Sequence, residues 1–241
     1  MSAQVADLQV QDDVIIDLRD RAEPVVDLRL VHSLGLDIEV PAAAYRTYVK
    51  PVLDRVVAAV LLVALIPVLL LVAAAVRHSL GRGIFYRQER IGYGGTPFTV
   101  LKFRTMLPDR RGERVPWTGA DRRVTHKTTA DPRHTRVGQF LRKWSLDELP
   151  QLVNVLKGDM SLVGPRPELP HIVEGYEPWE HARHMVRPGL TGFWQTTARS
   201  EGPMKEFTHL DLEYVRKVSF LTDVRLLVAT PLAAMGAQKG C

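Results

Sequence analysis

The sequence predicts an α+β protein: a compact, mostly helical domain with a small β-hairpin, attached to a proline-broken apolar helix that dips into a membrane and returns. Three observations predict it. Val56 to Val76 is an uncharged apolar run of twenty-one residues with Pro67 near its centre. Two strand-like pieces flank Gly92-Tyr93-Gly94-Gly95, and beyond them apolar residues recur at helical spacing. The chain divides accordingly into an acidic lead over 1–45, a re-entrant membrane segment over 46–80 and a folded domain over 81–241.

Residues 1–40 hold nine Asp/Glu against three Arg and contain an echo, Ile15-Ile16-Asp17-Leu18-Arg19 and Val25-Val26-Asp27-Leu28-Arg29. Two copies of so short a pattern do not make a repeat architecture, and the segment reads as two short strands or a flexible lead. The apolar run would measure about 31 Å as a helix, which matches a bilayer core. It begins at residue 56 and has no small-residue cleavage site after it, so it is not a signal peptide. Pro67 deletes a backbone hydrogen bond and should kink the helix there. Arg46, Lys50 and Arg55 precede the run, and Arg77, Arg82, Arg87 and Arg90 follow it. Positive charge at both ends is best satisfied with both ends cytoplasmic, which favours a re-entrant hairpin in one leaflet over a full span.

Gly83 to Ile91 and Thr96 to Phe103 read as two strands joined through Gly92 to Gly95, a hairpin turn and not a phosphate loop, because no helix follows. Residues 107–135, rich in Arg, Asp, Thr and Pro, read as a surface excursion. Asp147 to Leu156 places Leu149, Leu152, Val153 and Leu156 on one helical face, with Gly158 placed to stop the helix. Ser145 and Glu148 have capping-box spacing, which puts Pro150 at a costly fifth helical position; with Asp147 as the cap, Pro150 falls at the third. Either way the acidic pair lies at the positive end of a helix dipole. A further helical stretch closes over His181 to Arg187, and a last helix runs from Asp223 towards Met235, bent or interrupted at Pro231.

The net charge of +5 conceals an acidic head and a basic middle, since Arg77 to Ser145 carries sixteen Lys/Arg against five Asp/Glu. A basic face implies an anionic partner: nucleic acid, anionic lipid or a phosphorylated substrate. No recognition helix or aromatic-interleaved platform accompanies the charge, so nucleic acid is disfavoured. Cys241 is the only cysteine, which excludes a disulfide and a CxxC zinc site and fits a reducing compartment. His126, His134, His171, His181, His184 and His209 lack metal-ligand spacing and read as structural or surface residues.

Chemistry is best sought at Asp147-Glu148, two adjacent carboxylates just after the basic stretch and shortly before Gly164-Pro165-Arg166-Pro167. Such a pair amid arginines and lysines suits phosphate handling with a metal ion, although helix capping with salt bridges would also explain it. Arg166, between two prolines that restrain its backbone, suits bidentate clamping of a diphosphate. Lys102, Arg104 and Arg142 are further candidates for phosphate contact.

KFRTM (Lys102 to Met106), LRKWSLDELPQLVNVLKGDMSLVGPRP (Leu141 to Pro167) and RPGLTGFWQ (Arg187 to Gln195), in that order, resemble the small monotopic polyprenyl-phosphate phosphoglycosyl transferases among the bacterial sugar transferases. FYRQERIGYGGTPF (Phe85 to Phe98) and the proline-broken apolar run before it extend the likeness to roughly 46–235. The resemblance implies an enzyme that moves a sugar-1-phosphate from a UDP-sugar onto undecaprenyl phosphate, releasing UMP and initiating an exopolysaccharide, capsule, O-antigen or glycoprotein glycan. It implies that Asp147 is a nucleophile forming a covalent phosphosugar intermediate, and that Glu148 assists it. Mg2+ is the implied cofactor, with Asp147 and Glu148 as its carboxylates. Lys102 and Arg142 match positions used by the family, and Gln195 and Arg199 are candidates for nucleotide or sugar contact. The implied place is the cytoplasmic face of the bacterial inner membrane, in contact with its lipids; a homodimer is compatible with the resemblance. Two departures stand out: Ile66 where relatives often carry Ser, and Gln195-Thr196-Thr197-Ala198-Arg199 where many read Gln-Val-Asn-Gly-Arg. A membrane-anchored scaffold of the same fold is the alternative, and the intact acidic pair speaks against it.

Overall fold

The computed structural model describes residues 40–41, 44–107, 133, 135–197 and 207–236. Most of the acidic lead, His126, His134, Arg199 and nearly all of the polar excursion lie outside the described residues.

The apolar run folds as two helices, α1 (Lys50–Ala64) and α2 (Ile66–Leu80), with a π-helical turn over Tyr45–Val49 leading into the first. The break falls at Leu65, where φ is −92° and ψ 3°, and the axes on either side bend by 65°. The kink therefore lies two residues ahead of Pro67. Proline is tolerated in the first turn of a helix, where its absent N–H would be unpaired anyway, so Pro67 sits near the start of α2 and the chain breaks before it. Among the described residues no single helix is long and apolar enough to cross a membrane; only the bent pair together has that length and composition. Val60, Val63, Leu70 and Leu71 are exposed along it. The opposite faces are anchored in the domain: Ala58 joins the main core, and Val72, Val76 and Leu80 pack with Phe103 and Leu141. Each fully buried aliphatic side chain of this kind contributes about 1.5–3 kcal/mol.

A buried polar network ties the base of α1 to the domain. Lys50 Nζ lies 2.6 Å from Asp223 and 3.6 Å from Asp54. The Asp223 carboxylate also accepts from Tyr45 and Tyr214 (both 2.7 Å), and Asp54 accepts from Ser161 Oγ at 2.6 Å.

The expected hairpin is present. Strands β1 (Phe85–Ile91) and β2 (Pro97–Phe103) pair antiparallel from Phe85↔Phe103 to Ile91↔Pro97, and Gly94 and Gly95 supply the positive φ of the turn. Then come α3 (Arg136–Lys143), a 3-10 segment over Leu146–Gln151 and α4 (Leu152–Lys157), stopped as expected at Gly158 with φ +88°. The face buried here centres on Leu152 and Val155 and includes Asn154, whereas Leu149, Val153 and Leu156 are only half-buried. The initial 3-10 winding rotates the later residues away from the register that a continuous α-helix would give.

A second sheet, not anticipated, pairs β3 (Ser161–Val163) in parallel with β4 (Gly189–Thr191). Its backbones meet at glycines: a Cβ on Gly189 would lie 2.1 Å from Gly164 N, and one on Gly192 would lie 2.4 Å from Gly164 O. Between the two strands lie α5 (Pro170–Val173) and a 3-10 segment over Pro178–Met185, which ends two residues before the expected Arg187 because Val186 is already extended. The chain continues as α6 (Phe193–Thr197), α7 (Thr208–Lys217) and α8 (Phe220–Gly236). Helix α8 starts three residues before the expected Asp223 and runs through Pro231 without interruption. The main core gathers Val100, Leu152, Val155, Met160, Val163, Ala182, Leu212 and Val215 beneath these elements.

Candidate active site

Three elements converge on the acidic pair. Strand β2 presents Lys102, helix α3 carries Arg142 in its last turn, and the loop after β3 carries Arg166. Helix α3 packs closely on the end of β2, because Gly138 sits where a Cβ would come 1.9 Å from Thr105 O. From this position Arg142 Nε donates to Thr105 Oγ1 at 2.8 Å. The chain then turns sharply at Ser145, whose φ of +55° makes it the only non-glycine in the left-handed region among the described residues. That conformation costs about 1–2 kcal/mol for an L-residue. It aims the next turn, with Asp147 and Glu148, back at β2. Neither capping scheme forms: Ser145 stands at the cap position without a side-chain cap bond, and both acids lie in the first 3-10 turn.

The two carboxylates have opposite surroundings. Glu148 accepts from Arg166 in bidentate fashion, Oε1 from Nη2 at 2.6 Å and Oε2 from Nη1 at 3.2 Å, while Lys102 Nζ donates to Oε1 at 2.9 Å. Burial alone would push the Glu148 carboxyl up, but Arg166 and Lys102 outweigh it and hold it well below the usual range. Burial pulls the Lys102 ammonium down, with Glu148 opposing that effect, and Glu148 pushes the Arg166 guanidinium further up. Asp147 accepts no hydrogen bond and forms no ion pair with any other described residue. Burial and the neighbouring Glu148 charge raise its carboxyl to about 6, against the more distant pull of Lys102, Arg166 and Arg142. Neighbouring acids whose surroundings drive their pKa values apart have separate tasks. Glu148 is a fixed anion that organises two cations; Asp147 is an uncommitted carboxylate, ionised at neutral pH, facing those cations.

The structure thus brings Asp147, Glu148, Lys102, Arg142 and Arg166 together. Arg104 is placed differently: its Nη2 donates to Leu80 O at 2.5 Å, closing the end of α2, and it is not among the charges acting on Asp147. Gln195 is buried under Gly192, its amide oxygen and nitrogen both without partners among the described residues, and no described contact joins it to the acidic pair. Sequence reasoning missed Arg183 and Asp211, a buried ion pair behind Arg166, and Asn154, which bridges α4 to β2 through Thr99 O and Leu101 N. Asn154 in the middle of an otherwise apolar helical stretch was the available signal.

No three His, Cys, Asp or Glu side chains among the described residues group into a ready-made metal cage. The oxygen donors that are present suit a hard cation shared with a ligand's phosphates, since Mg2+ is commonly held by one or two carboxylates plus phosphate oxygens.

Comparison with known proteins fits this geometry. The chain is 42% identical over 185 residues to the exopolysaccharide production protein ExoY of Sinorhizobium fredii, covering 73% of this chain and 81% of that protein. It is 37% identical over 224 residues to the UDP-glucose:undecaprenyl-phosphate glucose-1-phosphate transferase of Xanthomonas campestris, covering 89% of this chain and 43% of that one. The Escherichia coli protein of the same name is 37% identical over 204 residues, with 80% and 41% covered. This chain therefore spans less than half the length of those two transferases but most of ExoY. The profile of bacterial sugar transferases matches residues 45–237, which takes in the bent apolar pair, the hairpin and every element that places the acidic pair. This chain belongs to the bacterial sugar transferase family.

Proposed function

We propose that this protein transfers a sugar-1-phosphate from a UDP-sugar to undecaprenyl phosphate, yielding undecaprenyl-diphosphate-sugar and UMP, in two displacements through Asp147. The observation that carries the reading is the uncommitted Asp147 carboxylate beside a Glu148 whose two oxygens are engaged by Arg166 and Lys102. In the first displacement an Asp147 oxygen attacks the sugar-bearing phosphorus and the bond to the UMP oxygen breaks, leaving an acyl phosphate. In the second, an oxygen of the lipid phosphate attacks the same phosphorus, and Asp147 leaves as a free carboxylate. Lys102, Arg142 and Arg166 neutralise the non-bridging oxygens, while Glu148 keeps Arg166 and Lys102 in place. Asp147 and Glu148 would be the residues to hold Mg2+, which would add charge neutralisation on the diphosphate. Names of relatives that act on UDP-glucose and undecaprenyl phosphate support the substrate classes.

The bent pair α1–α2 enters one leaflet from the cytoplasmic side, so that the domain meets a soluble nucleotide sugar and a lipid phosphate at one surface. Its exposed apolar faces and the 65° bend support this placement. The decisive assay incubates purified protein with Mg2+, undecaprenyl phosphate and a panel of UDP-sugars while UMP release is measured. One donor should give UMP, and Asp147→Asn should abolish it. No UMP with any sugar, or normal turnover by the Asn variant, overturns the reading.

A further inference from the structure

Arg166 is held at Glu148 by a loop whose carbonyls are nearly all engaged from elsewhere in the fold. Val163 O accepts from Tyr214 at 3.0 Å, Pro165 O from Gly189 N at 2.8 Å, Pro167 O from Arg90 at 3.0 Å and Glu168 O from Ile91 N at 2.8 Å. The carbonyl of Arg166 itself accepts from Arg183 Nη2 at 2.5 Å. Arg183 is only 3% exposed; its guanidinium also pairs with Asp211 Oδ2 at 2.6 Å, donates to the Tyr176 hydroxyl and lies 5.7 Å from the centre of the Tyr176 ring. Asp211, on α7, is 1% exposed. Burying two charges this deeply is expensive, and apolar replacements of equal volume often stabilise a fold better, so stability alone is a poor account of the pair. Its geometry does account for it. A planar guanidinium reaches a carboxylate, a phenol and a peptide carbonyl at once, which an ammonium cannot do.

We propose that Arg183, braced by Asp211 and Tyr176, is a positioning residue for the transferase reaction: it fixes the Arg166 peptide so that the Arg166 guanidinium stays at Glu148, ready for the substrate phosphates. Prolines at 165 and 167 restrict the torsions next to Arg166 but do not set the height of its peptide plane above the site; the bond to Arg183 does. The pair thereby links α7 and the 3-10 segment over Pro178–Met185 to a side chain of the acidic-pair cluster. This inference rests on the proposed function for the role of Arg166, but not for the restraint on the loop.

The test therefore has two parts. Hydrogen exchange by mass spectrometry on wild type, Arg183→Lys and Tyr176→Phe reads the loop directly, whatever the protein catalyses. The peptide spanning 161–169 should take up deuterium faster in both variants, more so in Arg183→Lys, while the β1–β2 hairpin keeps its protection. In the UMP-release assay with the productive donor, Arg183→Lys should lower kcat/KM at least tenfold. The Arg166→Lys/Arg183→Lys double variant should be within about threefold of Arg166→Lys alone, because one residue acts through the other. Unchanged exchange in 161–169 overturns the proposal, and so do losses that multiply in the double variant. A wild type inactive with every donor refutes the transferase reading, and the exchange experiment then decides the restraint alone. Tyr176→Phe removes one hydroxyl and keeps both charges, so it serves if Arg183→Lys does not fold.

Discussion

Asp147→Asn should stabilise the protein while destroying its activity. The Asp147 carboxyl is raised from the ordinary 3.8 to about 6, so the folded state binds this proton more tightly than the unfolded chain does. Its contribution to stability is complete below the unfolded value and is lost as pH rises through about 6. At neutral pH the ionised acid thus opposes folding. Two pKa units correspond to about 3 kcal/mol as a ceiling, and partial access of water to the side chain reduces this to about 1–2 kcal/mol. Asparagine has nearly the same shape and no charge, so the variant should melt roughly 2–8 °C above wild type at pH 7.5 and at the same temperature near pH 4. Thermal unfolding of both proteins in one detergent at the two pH values measures this, with UMP release followed in parallel. Activity should fall by at least about a thousandfold, as befits loss of a nucleophile. A variant that is less stable than wild type at pH 7.5 would refute the argument, since Asp147 would then be a structural partner and not a carboxylate held in reserve.

Without Mg2+, the Asp147 carboxyl should titrate near 6 in infrared difference spectra of wild type against Asp147→Asn, because burial and Glu148 raise it; a transition near 4 would show the acid to be ordinary. Asp211 is also raised to about 6, by burial that exceeds the pull of Arg183, and Asp211→Asn should lower the rate of UMP release by removing the brace on Arg183 while leaving the Asp147 transition in place. Glu148→Gln should act oppositely to Asp147→Asn, destabilising the fold by about 2–3 kcal/mol at pH 7.5 by leaving Arg166 and Lys102 without their carboxylate, as a denaturant titration would show. Asn154→Ala should lower stability by about 2–3 kcal/mol through two lost bonds between α4 and β2, with KM for the donor nearly unchanged. Gly189→Ala should abolish soluble folded protein in a size-exclusion assay, because its methyl would sit 2.1 Å from Gly164 N.

The hairpin was legible because alternating strand residues bracket a glycine-rich turn, and Asp147, Glu148 and Arg166 because the runs around them are distinctive. Other features depend on contacts that no local pattern carries. Helix α7 is not legible in the sequence because its buried face includes Thr208 and Asp211, which partners such as Glu180 and Arg183 make tolerable inside a protein. Arg104 carries the charge expected of a phosphate ligand, yet its guanidinium closes the end of α2; charge gives the capacity, and the neighbours give the use. A proline inside a helical pattern reads as the kink itself, whereas here the bend falls at Leu65 and Pro67 opens the second helix. The same pattern reads Pro231 as a bend or an interruption, and α8 carries it within an uninterrupted helix.

The buried bond between Lys50 and Asp223 spans 173 positions of sequence, which gives the protein's synthesis an order. At about 5–20 residues per second, roughly 10–35 s separate the emergence of these two side chains from the ribosome. Helices α1 and α2 are therefore made well before the acid that anchors them, and must find their surroundings without it. Through that interval Lys50 has Asp54 one helical turn away as an interim counter-ion. The closing of this bond at the base of α1 is thus a late event, conditional on the arrival of α8, and a nascent chain released before residue 223 would lack the latch that joins the start of the apolar pair to the rest of the domain.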